Sequence, residues 1–333
     1  MSIIGPERDS RRIDLRSLPW DKCTFYGRWK YYSWISDPRL SLATPQTVDQ
    51  ARELLRLYEA RKEPPCTPDE LVVFAKRLEE SSIHPDTGCP IPHTARFSSF
   101  LPSQLILTSA MVTFCRTLPS VWFWQLINNG YHANVNWANG NATAPRDSSL
   151  ERAVSLGSAA VAATLIAIPF KSKLSRVMCR SKLRSLVPLT VVSLSHGINV
   201  PLARQNELVH GIDVYDHAGR AQGASRAAAI KGVCQVALSR MIMFAPAMLV
   251  VPLITSPLER KQKSMAHPIH SSPLSTVLVT LMVPVSLALF PQTARIQTGT
   301  LEHIDPQLHA NVIRSAMIRR EPVPAHVFFN KGL

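Results

Sequence analysis

No Cys-x-x-Cys pair occurs in this chain. Its six cysteines, Cys23, Cys66, Cys89, Cys115, Cys179 and Cys234, are widely scattered, so neither a zinc site nor a disulfide framework is signalled and reduced thiols are the plain expectation. There is also no Gly-rich phosphate loop, no cluster of metal ligands and no nucleophile motif with its partners. The sequence therefore indicates neither an enzyme nor a cofactor. His84 and Asp86 in "HPDTG" are too few to hold a metal, and Pro, Asp and Gly together mark a turn. The first twenty residues, "MSIIGPERDSRRIDLRSLPW", lack an apolar run of secretory length. Their acids Glu7, Asp9 and Asp14 argue against a cleaved mitochondrial presequence, so any targeting information is expected to be internal.

Acidic residues are scarce. The 333-residue chain has 23 Asp+Glu against 37 Lys+Arg, a net charge of +14, which suits an anionic partner, either nucleic acid or an anionic lipid surface. Charged residues make up only 18% and hydrophobic ones 46%, against a usual charged share of about a quarter. The mean hydropathy of +0.03 is the average that a membrane part joined to a polar part would give.

A perfectly apolar run is missing as well, yet five segments approach the about 20 residues needed to cross a bilayer. They are 101–118, 153–170, 186–203, 232–254 and 274–290. Arg116 ends the first, His196 and Asn199 lie in the third, and Arg240 lies inside the fourth. Pro119, Pro188, Pro246, Pro252 and Pro284 interrupt the pattern. An anchor has no use for such features, whereas transporters build sites from broken helices with polar groups at membrane depth. An ionisable residue at the position of Arg240 is a functional-site hypothesis by default. A soluble nucleic-acid binder would explain the charge but not the five apolar segments. The expected fold is all-α: a helical membrane protein with about five transmembrane helices in residues 96–292. Residues 1–95 form a polar, helical, partly interfacial region, and 293–333 a C-terminal tail. Basic residues gather in the second loop, "KSKLSRVMCRSKLR", and the fourth, which places the N-terminus on the more positive side and gives anionic inner-membrane lipid a surface to meet.

Within the first region, "PQTVDQARELLRLYEARKE" (Pro45–Glu63) reads as a helix with Val48, Ala51, Leu54, Leu55 and Tyr58 on one side. "TPDELVVFAKRLEES" starts a second, with Thr67 as N-cap, Pro68 at N1 and Glu70 closing a capping box. Its apolar face is expected at Leu71, Phe74, Ala75 and Leu78. "TFYGRWKYYSWISDPRL" mixes aromatic rings with Arg28, Lys30 and Arg39; it fits either a membrane–water boundary or an amphipathic core helix.

Between the first two apolar segments lies "NNGYHANVNWANGNATAP", with Asn128, Asn129, Asn134, Asn136, Asn139 and Asn141. The preceding "PSVWFWQLINNG" has an apolar piece too short to span. Neutral amides offer donors and an acceptor without the desolvation penalty of a buried ion, which matches a small zwitterion better than a trianion. Asparagine is also a common turn residue, so a polar loop stays open, and "NAT" fits a glycosylation sequon. The candidate substrate-binding set is Gln125, Asn128, Asn134, Asn136, Asn139, Asn141, His196, Asn199, Ser225, Arg226 and Arg240. Proton coupling through His196 competes with a hydrogen-bonded structural role.

Taken in order, "TFYGRWKYYSWISDPRL", "HPDTG", "RTLPSVWFWQLINN", "NVNWANGNA", "INVPLARQNELVHGIDVYD", "GASRAAAIKGVCQVALSRMIMFAPAM", "LFPQ" and "FFNKGL" make the chain resemble the sideroflexins, the mitochondrial family once called tricarboxylate carriers. The resemblance covers nearly the whole length. It implies a five-span inner-membrane protein without a cleaved presequence. It implies transport of serine, with alanine, glycine or cysteine as related cargo, feeding one-carbon metabolism. It points to Asn136, Asn139 and Asn141, to Asn199 and Pro201, and to Ser225, Arg226, Arg240 and Pro246. The chain departs from the family pattern at Trp137 for Tyr, Gly140 for Arg, Asn129-Gly130 for Gln-Ser, Ser103-Gln104 for Gly-Gly, and Ala247 for Gly. A paralogue acting as a scaffold, in assembly or in iron handling is the alternative that these departures keep open.

Overall fold

A computed structural model describes residues 12–15, 20–114, 117–141, 149–177, 187–261 and 267–332. The expected helices of the first region are present. α1 (Phe25–Ile35) is capped by Thr24, whose side chain accepts from the Gly27 N–H. α2 (Pro45–Glu59) is capped in the same way by Thr44, and it buries Val48, Ala51, Leu55 and Tyr58, the face that the spacing predicted.

α3 (Asp69–Ser82) begins one residue late. Pro68 is the N-cap and makes no side-chain capping bond, because the Thr67 hydroxyl donates to Pro64 O at 2.7 Å instead. Its inner face is Val72, Ala75 and Leu78, not Leu71 and Phe74, which are exposed. The residues at 72, 75 and 78 meet Leu40, Leu55 and Tyr58 in a small core of their own. α1 turns the other way. Tyr31, Tyr32 and Ile35 enter the main core with Phe244, Val279 and Leu287, while Phe25 and Tyr26 stay exposed.

The described parts of the five predicted apolar segments are helical, apart from a break at Thr117 in the first and the last two residues of the fifth. They fall in α4 (Phe100–Phe114), α6 (Ser149–Val177), α7 (Val187–Ala203), α9 (Arg226–Lys261) and α10 (His267–Ala288). Among the described residues, two stretches are long and apolar enough to cross a membrane, Arg152–Leu174 and Arg226–Ala247; Thr276–Ala288 is apolar but shorter. Arg116, Cys115, Cys179, the end of the "NAT" sequon and parts of both basic loops lie outside the described residues.

The segment between α4 and α6 departs from the sequence expectation. "LPSVWFWQLINNGYHANVNWA" is one unbroken helix, α5 (Leu118–Ala138), with Thr117 as its N-cap. Asn128, Asn129, Asn134 and Asn136 belong to the helix, Asn139 is its C-cap and Asn141 follows it.

Packing in the bundle follows residue size. Along α6, Ala159, Ala163 and Ala167 recur every fourth residue and are fully buried, whereas Val154, Val161, Leu165 and Ile166 are exposed. Ala159 meets Ala133 of α5 and Ala203 of α7. Small residues let the backbones approach, and the large apolar ones face outward, the reverse of a water-soluble bundle. Ile106 of α4 and Leu281 of α10 are exposed in the same way.

The all-α expectation fails at the C-terminus. After the short helix α8 (Gln205–His210), β1 (Ile212–Tyr215) and β2 (Ala221–Ser225) form a hairpin. β3 (Thr293–Gln297) and β4 (His326–Asn330) complete an antiparallel sheet of order β2-β1-β4-β3. The hairpin turn is set by Asp216, whose Oδ1 accepts from the N–H groups of Ala218 and Arg220, both at 2.9 Å. α11 (Thr298–Ile304) and α12 (Pro306–Arg319) cover one face through Leu301, Leu308 and Val312 against Val214, Val327 and Phe329. The segment 293–333 is thus a folded unit with the residues after α8, because period-two alternation in "TARIQ" and "HVFFN" buries every second side chain.

Candidate functional site

On α5, Gln125, Asn129, His132, Asn136 and Asn139 are spaced four, three, four and three residues apart, so they form one polar stripe down a single helix face. The stripe faces α7. Asn129 Oδ1 accepts from the Ser195 hydroxyl at 3.0 Å, and its Nδ2 donates to Thr164 Oγ1 of α6 at 2.9 Å. Asn199 Nδ2 donates to Asn129 O at 2.9 Å, and Asn136 Nδ2 donates to Asn199 Oδ1 at 3.2 Å. Arg240 of α9 completes the chain, its Nε donating to Asn136 Oδ1 at 3.1 Å. Its guanidinium lies 5.2 Å from the centre of the Phe97 ring. Its Nη2 is buried without a hydrogen-bond partner.

Above this network is a cavity of about 200 Å³. Its polar walls come from Gln104 of α4, from Gln125, Asn128, Asn129 and His132 of α5, and from Ser195 and His196 of α7. Phe244 of α9 closes one side and stacks on the His196 ring at 4.5 Å. No Asp, Glu, Lys or Arg lines it. Three buried polar atoms of its walls have no hydrogen-bond partner: Gln104 Oε1, Asn128 Oδ1 and His196 Nδ1. Leaving such a group unpaired costs about 1–3 kcal/mol, so these three atoms are the polar surface that a small molecule or a water in this space would meet.

The other predicted residues have structural employment. Asn139 Nδ2 donates to Val135 O and Ala95 O at 2.8 and 2.9 Å. The backbone N–H of Asn141 donates to Glu207 Oε1 at 2.9 Å, and its side chain donates to Asn330 O. Arg204 gathers this end of the bundle. Its Nε, Nη1 and Nη2 donate to the carbonyls of Asn136, Lys331 and Asn139 at 3.1, 3.0 and 2.9 Å. Burial pushes the Glu207 carboxyl up, while Arg204 and the Asn141 N–H oppose the shift. Lys331, buried with its ammonium on Phe290 O at 2.8 Å, is pulled down to about 7 by burial and by the charges of Arg204, Arg240 and Arg28.

Ser225 and Arg226 stand apart. Ser225 caps α9, accepting from the Ala228 N–H and donating to Asp305 Oδ2 at 2.6 Å. Arg226 is exposed, with its Nε on Val209 O. They lie about 20 Å from Arg240 along α9, by the 1.5 Å rise per residue. Asn134 is half-buried and falls off the stripe. The His84 ring bonds Gly140 O at 2.8 Å, and Asp86 accepts from Asn330, so "HPDTG" ties the first region to α5 and β4. No group of three metal-binding side chains occurs among the described residues.

Gln104, Asn129, His132, Ser195 and Phe244 were outside the candidate set read from the sequence, although Asn129 was noted in the Asn-rich stretch and both Asn129 and Gln104 as departures from the family pattern. For Asn129 and His132 the signal was present as the four-and-three spacing. For Gln104, Ser195 and Phe244 only the packing of α4, α7 and α9 reveals it.

An uncharged polar cavity thus lies inside a helical bundle that contains, among the described residues, two stretches of membrane-spanning length and hydropathy. The family model for sideroflexins matches residues 14–333, and the chain belongs to the sideroflexin family. It is 35% identical over 329 residues to Sideroflexin-2 of Drosophila melanogaster, covering 97% of this chain and 99% of that one. It is 36% identical to Sideroflexin-2 of Bos taurus, covering 98% and 100%. It is 34% identical to Sideroflexin-1 of Homo sapiens, covering 96% and 98%. No solved structure matches the chain.

Proposed function

We propose that the chain is a multi-pass carrier of small neutral amino acids, serine foremost, in the mitochondrial inner membrane. In this reading α4, α6, α7, α9 and α10 are the five spans, and α1 rests its exposed aromatics at the membrane boundary. The observation that carries the reading is the uncharged cavity with its unpaired amide and imidazole atoms. At about 200 Å³ it is smaller than the roughly 300–1,000 Å³ of drug-sized pockets, so its cargo has few heavy atoms. A neutral wall of donors and acceptors can replace the hydration of a zwitterion without adding a net charge to bury. The outward-facing Leu, Ile and Val side chains of α4, α6 and α10 supply the lipid-facing surface, and the basic loops suit anionic lipid. Neither nucleic acid nor a cofactor enters this account.

A scaffold without cargo is the second reading, and one observation favours it: Asn136, Asn139 and Asn141 all bond protein groups. The two separate cleanly. Asn128→Leu fills the cavity without touching the Asn136–Arg240 link. A carrier loses serine uptake in this variant while its membrane insertion and thermal stability persist. Full uptake by Asn128→Leu removes the cavity from the mechanism. Absent uptake by the wild-type chain, with a partner protein co-purifying in stoichiometric amounts, establishes the scaffold.

A further inference from the structure

A second cavity, of about 420 Å³, lies between the N-terminal helices and the bundle. Its walls come from the residues before α1, from α1, α2 and α3, from the turn at 84–88, and from the end of α5. Among the described residues the inner cavity has no charged side chain, but this one has both signs: Lys22, Arg28, Arg52 and Lys76 against Glu79 and Glu80, with Arg28 taken up by the carbonyls of Lys22, Cys23 and Ala288.

Lys22 Nζ sits 3.7 Å from the centre of the Tyr31 ring, a contact that holds the ammonium without neutralising it. Glu80 receives the Tyr31 hydroxyl at 2.7 Å, and Lys76 bridges Glu79 and Glu80 at 3.2 and 3.0 Å. The carboxylates are thereby fixed in place and share one cation between two negative charges. Two further wall atoms, Ser81 Oγ and Asn139 Oδ1, are buried without a hydrogen-bond partner. The Asn139 amide nitrogen is already committed to Val135 O and Ala95 O, so only its acceptor is left over.

With Arg28 held by carbonyls and Lys76 shared by the two carboxylates, a simple anion in this cavity would meet Glu79 and Glu80, and a simple cation would meet Lys22 and Arg52. A molecule with a carboxylate at one end and an ammonium at the other satisfies both sides. The cavity is also connected in structure to the inner one. Asn139 is three residues from Asn136 on α5, and Asn136 is joined through Asn199 to Asn129 in the inner wall.

We propose that this charged cavity is an outer binding site, at which a zwitterionic amino acid docks before it reaches the inner cavity. The inference rests on the carrier reading above and adds a second site to it. It is tested by equilibrium binding of tritiated serine to the purified full chain, together with uptake into liposomes. Lys22→Gln and Glu79→Gln preserve size and hydrogen bonding, so they report on charge and not on folding. The expected result is two serine sites per wild-type chain and one in either variant. KM for uptake rises about tenfold, the loss of one charge-assisted contact. Asn128→Leu should also retain one site, but with no uptake. A single wild-type site that survives both charge variants and disappears in Asn128→Leu overturns the outer site and leaves the carrier intact. No serine binding by folded wild-type chain overturns both.

Discussion

Replacing Arg204 with alanine should loosen the membrane bundle and the C-terminal strand together. Arg204 is buried, and its guanidinium satisfies three carbonyls from two parts of the chain, Asn136 and Asn139 at the end of α5 and Lys331 after β4. It is also the only cation within ion-pair distance of buried Glu207 among the described residues, at 3.7 Å. Alanine strands the three carbonyls and removes Arg204, the larger of the two contacts that oppose the burial-driven rise of the Glu207 carboxyl, so its proton affinity goes up further. Breaking a buried charge pair by removing one partner costs about 3–5 kcal/mol, and the shared geometry keeps the carbonyl losses from adding in full. For a chain of this size that corresponds to a fall in Tm of about 6–10 °C. The assay is thermal unfolding of the purified protein in detergent, with protease sensitivity near residue 331 as a second readout. Arg204→Lys should recover little, because an ammonium is a point donor and cannot span three carbonyls in a fork. A Tm within about 2 °C of wild type for Arg204→Ala, or full recovery by lysine, would refute the reasoning.

Gly140→Arg should destabilise the fold by about 1–3 kcal/mol, because a Cβ there would stand 2.6 Å from Glu207 Oε1 and 3.2 Å from Trp137 O; adding Glu207→Ala should return part of the loss, and equal Tm values for the single and double variants would sink the explanation. The fold holds Lys331 at about 7 against an ordinary 10.5, so between those pH values the unfolded chain binds a proton that the folded chain does not. Stability from this group therefore rises with pH across that window and is at its lowest below it; Lys331→Met should flatten the rise in Tm, and an unchanged slope counts against it. Asn136→Ala leaves Arg240 Nε and Asn199 Oδ1 without partners, a cost of about 2–3 kcal/mol; Asn136→Gln retained in the same register should lose less, as read by denaturant midpoint.

Much of the helical architecture was legible because local rules and packing agree. The spacing of Val48, Ala51, Leu55 and Tyr58 gave α2 and its buried face. α3 was misread by one residue because Thr67 turns back to Pro64, and its inner face moved to Val72 because α2 and α3 meet along that line. For the Asn-rich segment composition left a polar loop open, although its polar groups keep helical spacing from Gln125 to Asn139. Its neighbours on α6 and α7 then supply what exposed asparagines would have taken from water. The sheet was hidden for another reason. Its strands are short, and β4, which joins β1 to β3, comes after α11 and α12 in the chain. Of the candidate residues, Gln125, Asn128 and His196 share the cavity, and Asn136, Asn199 and Arg240 form the network beside it. Asn139 and Asn141 belong with Arg204 and Glu207, and Ser225 with Arg226 begins α9. Residue type alone did not distinguish these groups, since an amide that binds a ligand and one that binds a carbonyl look alike until their partners are known.

The measurement that tests the central claim most directly is uptake of radiolabelled serine into liposomes carrying the purified chain, followed over a range of serine concentrations. The account predicts saturable uptake that unlabelled alanine and glycine compete away and that a tricarboxylate does not. Uptake that fails to saturate, or that is absent for serine and for every small neutral amino acid while the protein remains folded, contradicts it.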